Sequence, residues 1–368
     1  MLIFKEKIEY IDPVNIIFLC GSRYDPESGK DKRIILKDFL KSNDEYCQPI
    51  ILEEHFLFAK NKKGYLAYDN IFLKNLVGVE KLAALYADKI IVIHETISTA
   101  AEIGMFAGEI ALTDKVGIVV PDSISIEEDK MSSFIRLAFF NKGDPSSLKP
   151  KQIVYYPDVE IYRSSQNKSE YHTFFHENKI GENLGKQILD FIEKPQAPRE
   201  INIKKSRYNK SFSDNCILSY GFNKIKKRIT AYVNAQVLKI QLLSMLKVES
   251  FRTEFRKEKH IKDHISYAEE KYKEILSETI CHMEGLLSDK YSIEVRIVDI
   301  NSYNLRQSIG YFLYMLQATG LIGLEQVLDN GEYNVRKIRI SEQFDSQTVG
   351  LEGYICETSK TAFGGILQ

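Results

Sequence analysis

A hydroxyl and a carboxylate stand three residues apart in Thr99-Ala100-Ala101-Glu102, just after the apolar run Ile90-Ile91-Val92-Ile93 and a polar turn from His94 to Ser98. That spacing fits a capping box, in which Thr99 caps a helix and Glu102 reaches back to the Thr99 amide. The same residues admit a chemical reading. A β-branched apolar run suits a strand buried on both faces of a parallel sheet, and ligands bind beyond the carboxyl ends of such strands. A carboxylate on the first helical turn there is stabilised as an anion by the helix dipole. Ionised and positioned, it is a competent nucleophile toward an anomeric carbon. The two readings differ in geometry: a cap points Glu102 back at Thr99, a nucleophile points it into the crevice.

Gly21-Ser22, after the run Asn15 to Cys20, is the second constellation. Glycine permits a tight turn and close backbone approach, and amides at the start of the next helix can hold a phosphate or a ribose hydroxyl. The chain lacks both G-x-G-x-x-G and G-x-x-x-x-G-K-[ST], which disfavours dinucleotide redox binding and a P-loop. Glu53, Glu54, Glu80 and Glu95 each fall near a strand end or on a preceding helix, where they could line the same crevice or simply be solvated. His260 and His264 are four apart, but no glutamate follows the first histidine as in a zincin, so no metal site is expected.

These residues need a scaffold that places strand ends side by side. Strands are expected at 15–20, 49–52, 90–93, 116–120 (stopped by Pro121) and 152–156 (stopped by Pro157). Helices are expected near 30–40, 68–86, 131–140 and 180–192, in addition to the one opened by the Thr99 stretch. The alternation predicts an α/β fold, Rossmann-like or flavodoxin-like, with a parallel sheet of about five strands. Paired prolines in Glu193 to Arg199 mark a boundary. Beyond it come Lys204, Lys205, Arg207, Lys226, Lys227 and Arg228, a basic stretch opposed by few acids, and then helical patterns from about 223 to 287. A strand from Ile293, a helix over 305–319 and two strands flanking Asp329-Asn330-Gly331 give the outline of a winged-helix-like module. The expected parts are residues 1–198, a catalytic domain; 199–290, a basic linker and helical region; and 291–368, the winged-helix-like module.

Composition narrows the class. With 368 residues and 44% hydrophobic content the chain can bury a substantial core, and a formal net charge of −1 excludes a globally basic nucleic-acid coat. Five dispersed cysteines form neither a disulfide framework nor a zinc spacing, so a reducing cytoplasm is the simplest location. No segment approaches the roughly 20 apolar residues of a membrane span.

Phe18-Leu19-Cys20-Gly21-Ser22, together with Ala87-Asp88, the strand after it, the Ser/Thr turn and Glu102-Ile103-Gly104-x-x-Ala107, resembles the nucleoside 2-deoxyribosyltransferase family and its N-hydrolase relatives. The likeness is greatest to the deoxyribosyltransferase-like effectors of bacterial retron defence systems. The resemblance implies that Glu102 attacks C1′ of a sugar to give a glycosyl-enzyme, and that Glu80 assists with sugar or leaving base where relatives carry Asp. It also implies that Gly21, Ser22, Arg23, Glu95, Thr96, Ser98 and Thr99 bind the substrate. Phe18 stands where the family commonly has Tyr, which removes a hydroxyl.

Cleaving an N-glycosidic bond passes through an oxocarbenium-like state that an anionic Glu102 can stabilise and then trap, while Glu80 or Glu95 serves the leaving base. No metal or redox cofactor is required. Implied partners are a nucleotide-type substrate (NAD, a free nucleotide or a base in nucleic acid), the reverse transcriptase and RNA-linked DNA of a retron, and further copies of the chain in a homo-oligomer. A second class of function fits the same residues: a catalytically silent nucleotide sensor or DNA-binding regulator.

Overall fold

A computed structural model describes residues 1–10, 14–22, 24–25, 27, 31–55, 76–108, 110–113, 115–122, 153–157, 175–176, 179–192, 199–206, 217–223, 225–299, 304–326 and 335–358. The chain forms two compact units. One comprises Val14–Phe58 and Ala83–Gln196; the other comprises Met1–Pro13, Ala59–Leu82 and Ala197–Gln368. The change of unit between Gln196 and Ala197 falls inside the proline-bearing stretch.

Two short strands, β1 (Leu2–Phe4) and β2 (Lys7–Tyr10), open the chain. The chain continues with β3 (Asn15–Cys20), α1 (Lys32–Asn43), β4 (Cys47–Ile50), α2 (Leu52–His55), α3 (Leu76–Tyr86), β5 (Lys89–Ile93), α4 (Ile97–Ala107), α5 (Ile110–Thr113), β6 (Val116–Asp122) and β7 (Ile153–Pro157). A two-residue pair, β8 (Phe175–His176) with β9 (Lys179–Ile180), precedes α6 (Glu182–Ile192).

Strands β3 to β7 make one five-stranded sheet in the order β4-β3-β5-β6-β7, every neighbour parallel. Counted within this unit the order is 2-1-3-4-5, the flavodoxin-like arrangement, whose direction of winding reverses between its first and third strands. Central strands β3 and β5 are buried almost throughout, as apolar runs covered on both faces should be. Ile17, Leu19, Ile91 and Ile93 pack with Leu36 and Leu40 of α1 and with Leu184 and Ile188 of α6 on one face. On the opposite face Phe18 meets Phe106 of α4 edge to face, ring centroids 6.3 Å apart. Pro49 sits in β4, the edge strand, where a missing N–H costs least. Pro121 does not end β6; the strand continues to Asp122, paired with β7. The Ala87-Asp88 pair is structural: Asp88 accepts the Ile16 amide at 2.8 Å, at the amino end of β3.

The other unit corrects several expectations. It continues with β10 (Arg199–Lys205), β11 (Ile217–Asn223), β12 (Arg228–Val233), α7 (Ala235–Met245), α8 (Glu249–Phe255), β13 (Lys259–His260) and α9 (Ile261–Met283). It ends with β14 (Ser292–Ile297), α10 (Leu305–Ala318), β15 (Ile322–Gln326), β16 (Val335–Ile340), α11 (Glu342–Gln347) and β17 (Ile355–Glu357). The stretch read as a basic linker is sheet instead. β10, β11 and β12 join β14 and β2 in a five-stranded mixed sheet, order β14-β12-β11-β10-β2. Residues 1–13, expected in the catalytic domain, go with this unit: β2 pairs with β10 and β1 with β17. The physical reason is non-local pairing, which carries no local sequence signal. Helix α7 is buried on all sides and α9 packs beside β1, β14 and α10. β13, β16 and β15 form a separate three-stranded sheet. The Asp329-Asn330-Gly331 turn and the helix expected over 131–140 lie outside the described residues.

Candidate functional site at the carboxyl edge of the parallel sheet

In a 2-1-3-4-5 sheet the crevice opens where the chain leaves the carboxyl ends of the first and third strands. Here those ends are Cys20, leading to Gly21-Ser22, and Ile93, leading to His94 and Glu95. Strands β3 and β5 are direct neighbours, with Cys20 opposite Val92, so the two turns stand side by side.

The start of α4 settles the capping question. The N-cap is Thr96, not Thr99: the Thr96 hydroxyl accepts the Thr99 amide at 3.3 Å, and the Thr99 hydroxyl accepts the Thr96 amide at 3.1 Å, a reciprocal box of two threonines. Thr99 Oγ1 also accepts the Glu95 amide at 3.3 Å, donates to the Thr96 carbonyl at 2.7 Å and lies 3.1 Å from His94 Nδ1. Thr99 is fully buried, so its hydroxyl shapes the loop and is closed to solvent.

Glu102 is thereby outside the cap. It is the sixth helical residue rather than a first-turn one, and no acidic residue occupies the first turn of α4, so the dipole contribution expected there is weakened. Glu102 follows Thr99 by three and precedes Phe106 by four, which puts it on the flank of the buried Thr99-Ile103-Phe106 stripe. Its side chain is half-buried and Oε2 is buried. Helical side chains lean toward the amino terminus of their helix, here the loop at the sheet edge.

Around this edge lies a set of charges in which Glu53, Glu54 and Glu95, candidates from the sequence, meet Asp31, Arg33, Lys32 and Lys37, which sequence patterns did not single out. Asp31 caps α1, accepting the Arg33 amide at 3.0 Å. The guanidinium of Arg33, 1% exposed, grips Asp31 through Nε at 3.1 Å and Nη2 at 2.9 Å, and Nη1 donates to Glu53 Oε1 at 2.7 Å. Burial opposes the charge on Arg33, but the bonds and charges of Asp31 and Glu53 outweigh it and raise its pKa above the ordinary arginine value. A Cβ on Gly21 would stand 2.7 Å from Arg33 Cδ, so this glycine makes room for the arginine stem. Lys37 pairs with Glu54 and Lys32 with Glu95. The Tyr24 hydroxyl reaches Glu54 at 3.4 Å, and burial followed by that carboxylate pushes its pKa up to about 12. Burial lowers the pKa of His94, which favours its neutral ring.

Gly21, Ser22, Glu95, Thr96, Ser98 and Thr99 are thus gathered on adjacent strand ends, with Ser98 and Thr96 exposed and Thr99 sealed. Glu80 is a half-buried residue of α3, in the segment that clusters with the other unit. Arg23 and Arg207 lie outside the described residues. Lys204 and Lys205 are on β10, and Lys226, Lys227 and Arg228 are at the β11–β12 turn. Two of these cations have acidic partners: Lys205 bonds Glu284 at 2.5 Å and Arg228 pairs with Glu294. Lys226 and Lys227 are exposed beside Ile225, itself 96% exposed.

Among the described residues no group of three or more His, Cys, Asp or Glu side chains is arranged to hold a metal ion. Nor is any described helix long and apolar enough to cross a membrane. No curated protein matches the chain. A family model described as STM3845 retron effector protein matches residues 29–324, a span that runs from the α1 cap through the sheet edge and on to β15. The chain therefore belongs to the STM3845 retron effector protein family.

Proposed function

We infer that the parallel-sheet unit cleaves the N-glycosidic bond of a nucleotide-type substrate, with Glu102 as nucleophile, and that this chemistry is the effector activity used in retron defence. The observation that carries the reading is the position of Glu102. It stands on the helix after the third strand of a 2-1-3-4-5 sheet, with one oxygen buried and with the helix cap made by Thr96 and Thr99 instead. As C1′ gains positive charge the carboxylate stabilises it, then bonds to it as the base departs with its electron pair; water afterwards takes the sugar. Within the same unit the candidate to serve the leaving base is Glu95, which stands in the loop after β5, engaged by Lys32.

Substrate classes that fit are NAD, free (deoxy)nucleotides and bases in nucleic acid. The second reading, recognition of nucleic acid by the other unit, draws support from exposed Lys226 and Lys227 on a hairpin turn. It also draws on the arrangement of α9, α10 and the β13-β16-β15 sheet, which we read as winged-helix-like. The reverse transcriptase and RNA-linked DNA of a retron are the partners that reading implies.

One experiment tests the main reading. Purified protein is incubated with NAD, nucleotides and single-stranded DNA, and released base is measured by mass spectrometry. Wild type releases base from one member of the panel, and folded Glu102→Gln does so roughly a thousandfold more slowly. Undiminished release by the variant would eliminate Glu102 as nucleophile.

A further inference from the structure

The trio of Asp31, Arg33 and Glu53 is more than a helix cap requires. Capping α1 takes one Asp31 oxygen and one amide, whereas burying a guanidinium with two carboxylates is often no more stable than packing apolar groups of equal volume. Both Asp31 oxygens are spent on Arg33 and nearby amides. Glu53 differs. Its Oε1 receives Arg33 Nη1, while among the described residues no hydrogen bond reaches its Oε2, and the side chain is 23% exposed. Glu53 is the second residue of α2, at the carboxyl end of β4. Next to β4 comes β3 with Gly21-Ser22, and next to that β5, which leads to α4 and Glu102. Neighbouring strands stand about 4.8 Å apart, so the ends of β4 and β5 are about 10 Å apart across the Gly21-Ser22 turn, a span of the order of one sugar ring.

We propose that Glu53 accepts hydrogen bonds from the sugar hydroxyls of the substrate, and that Arg33 is the positioning residue that holds it there. The assignment rests on the N-glycosidase reading and adds a specificity element to it. Arg33 is fixed by a two-point grip on Asp31, and its stem by the space that Gly21 leaves, so one Glu53 oxygen is anchored by Arg33 while the other is left to accept from a ligand. Glutamine at position 53 would give its oxygen to Arg33 and turn an N–H donor toward the sugar, a group unable to accept.

The test uses the full chain carrying Glu102→Gln, so that ligand is bound but not consumed. Adenosine, 2′-deoxyadenosine and 2′,3′-dideoxyadenosine are titrated by calorimetry, each as nucleoside and as 5′-monophosphate. Loss of both hydroxyls should weaken binding roughly tenfold or more. Adding Glu53→Gln should bring the three sugars to near-equal affinity, and Glu53→Asp, which withdraws the carboxylate by one methylene, should give an intermediate ratio. Arg33→Lys, which keeps the charge but not the two-point grip, should narrow the ratio with Glu53 intact. Matching melting curves guard against a merely structural effect. Full sugar discrimination in folded Glu53→Gln, or binding of none of the probes, would overturn the proposal, whereas failure of the N-glycosidase reading shows separately, as release of base from no member of the NAD, nucleotide and single-stranded DNA panel by folded wild type.

Discussion

His264 shows how single residues here are governed by what surrounds them. In the sequence it is half of a His260-His264 pair, yet it is fully buried, with Nε2 2.9 Å from the Arg336 carbonyl and its ring edge-on to Phe255. Burial, only partly offset by the Arg336 carbonyl, lowers its pKa below the ordinary histidine value. The unfolded chain therefore binds the extra proton more readily. This contribution to stability is complete above about pH 6.5 and is lost as pH falls from there toward the folded pKa. Between pH 7 and 5 the unfolding free energy, and with it the melting temperature, should decline, this residue contributing at most about 1.4 kcal/mol per pH unit to the free energy. Folded His264→Gln, which keeps an N–H donor but cannot titrate, should show a flatter profile; an unchanged profile would remove His264 as its source. Gly21 makes a similar point. Its type marked a tight turn, but the neighbour that demands it, Arg33, is twelve residues away in sequence and visible only in the fold.

Among the elements, α4 bears on function most directly. Thr-x-x-Glu and Thr-x-x-Thr both offer reciprocal caps, and Thr96 to Thr99 wins by fixing the helix start at Ile97. The consequence separates stability from chemistry. Thr99→Ala should cost about 0.5–2 kcal/mol in chemical denaturation, as cap losses do. Glu102→Gln should leave stability nearly unchanged while removing base release. A Glu102→Gln loss as large as that of Thr99→Ala would return the carboxylate to a structural role. The central strands β3 and β5 were readable because each is an apolar run buried on both faces, and α1 and α6 because their apolar residues recur at helical spacing. Strands β10 and β11 were missed beneath the reading of a basic linker, and β12 beneath a helical reading of 223 to 287, since β12 alternates buried and less buried residues over only six positions.

At the scale of the whole molecule, the first thirteen residues tie the chain's beginning to its carboxyl-terminal unit. Phe4 of β1 is buried against Tyr272 and Tyr354, and β2 completes an edge of the mixed sheet. Removing residues 1–10 should destabilise that unit by at least the roughly 3–5 kcal/mol that emptying a buried phenylalanine site costs. Unfolding followed by tyrosine fluorescence would register it, and an unaltered transition would show the strands to be dispensable. A fragment cut at 198 would carry β1 and β2 without their partners β17 and β10.

The sequence by itself determined the parallel α/β sheet, the boundary near Gln196 and the edge on which Gly21-Ser22 and the His94–Glu102 stretch meet, because these follow from local apolar runs, turn residues and strand-helix alternation. Tertiary structure alone decided which threonine caps α4, what Gly21 accommodates, the Asp31-Arg33-Glu53 cluster and the passage of the amino-terminal strands to the other unit. The cap is a choice between two local pairings, Thr96 with Thr99 and Thr99 with Glu102, that the sequence leaves open, while the other three depend on contacts between residues distant in the chain, whose hydrogen bonds and excluded volume leave no periodic trace in the sequence.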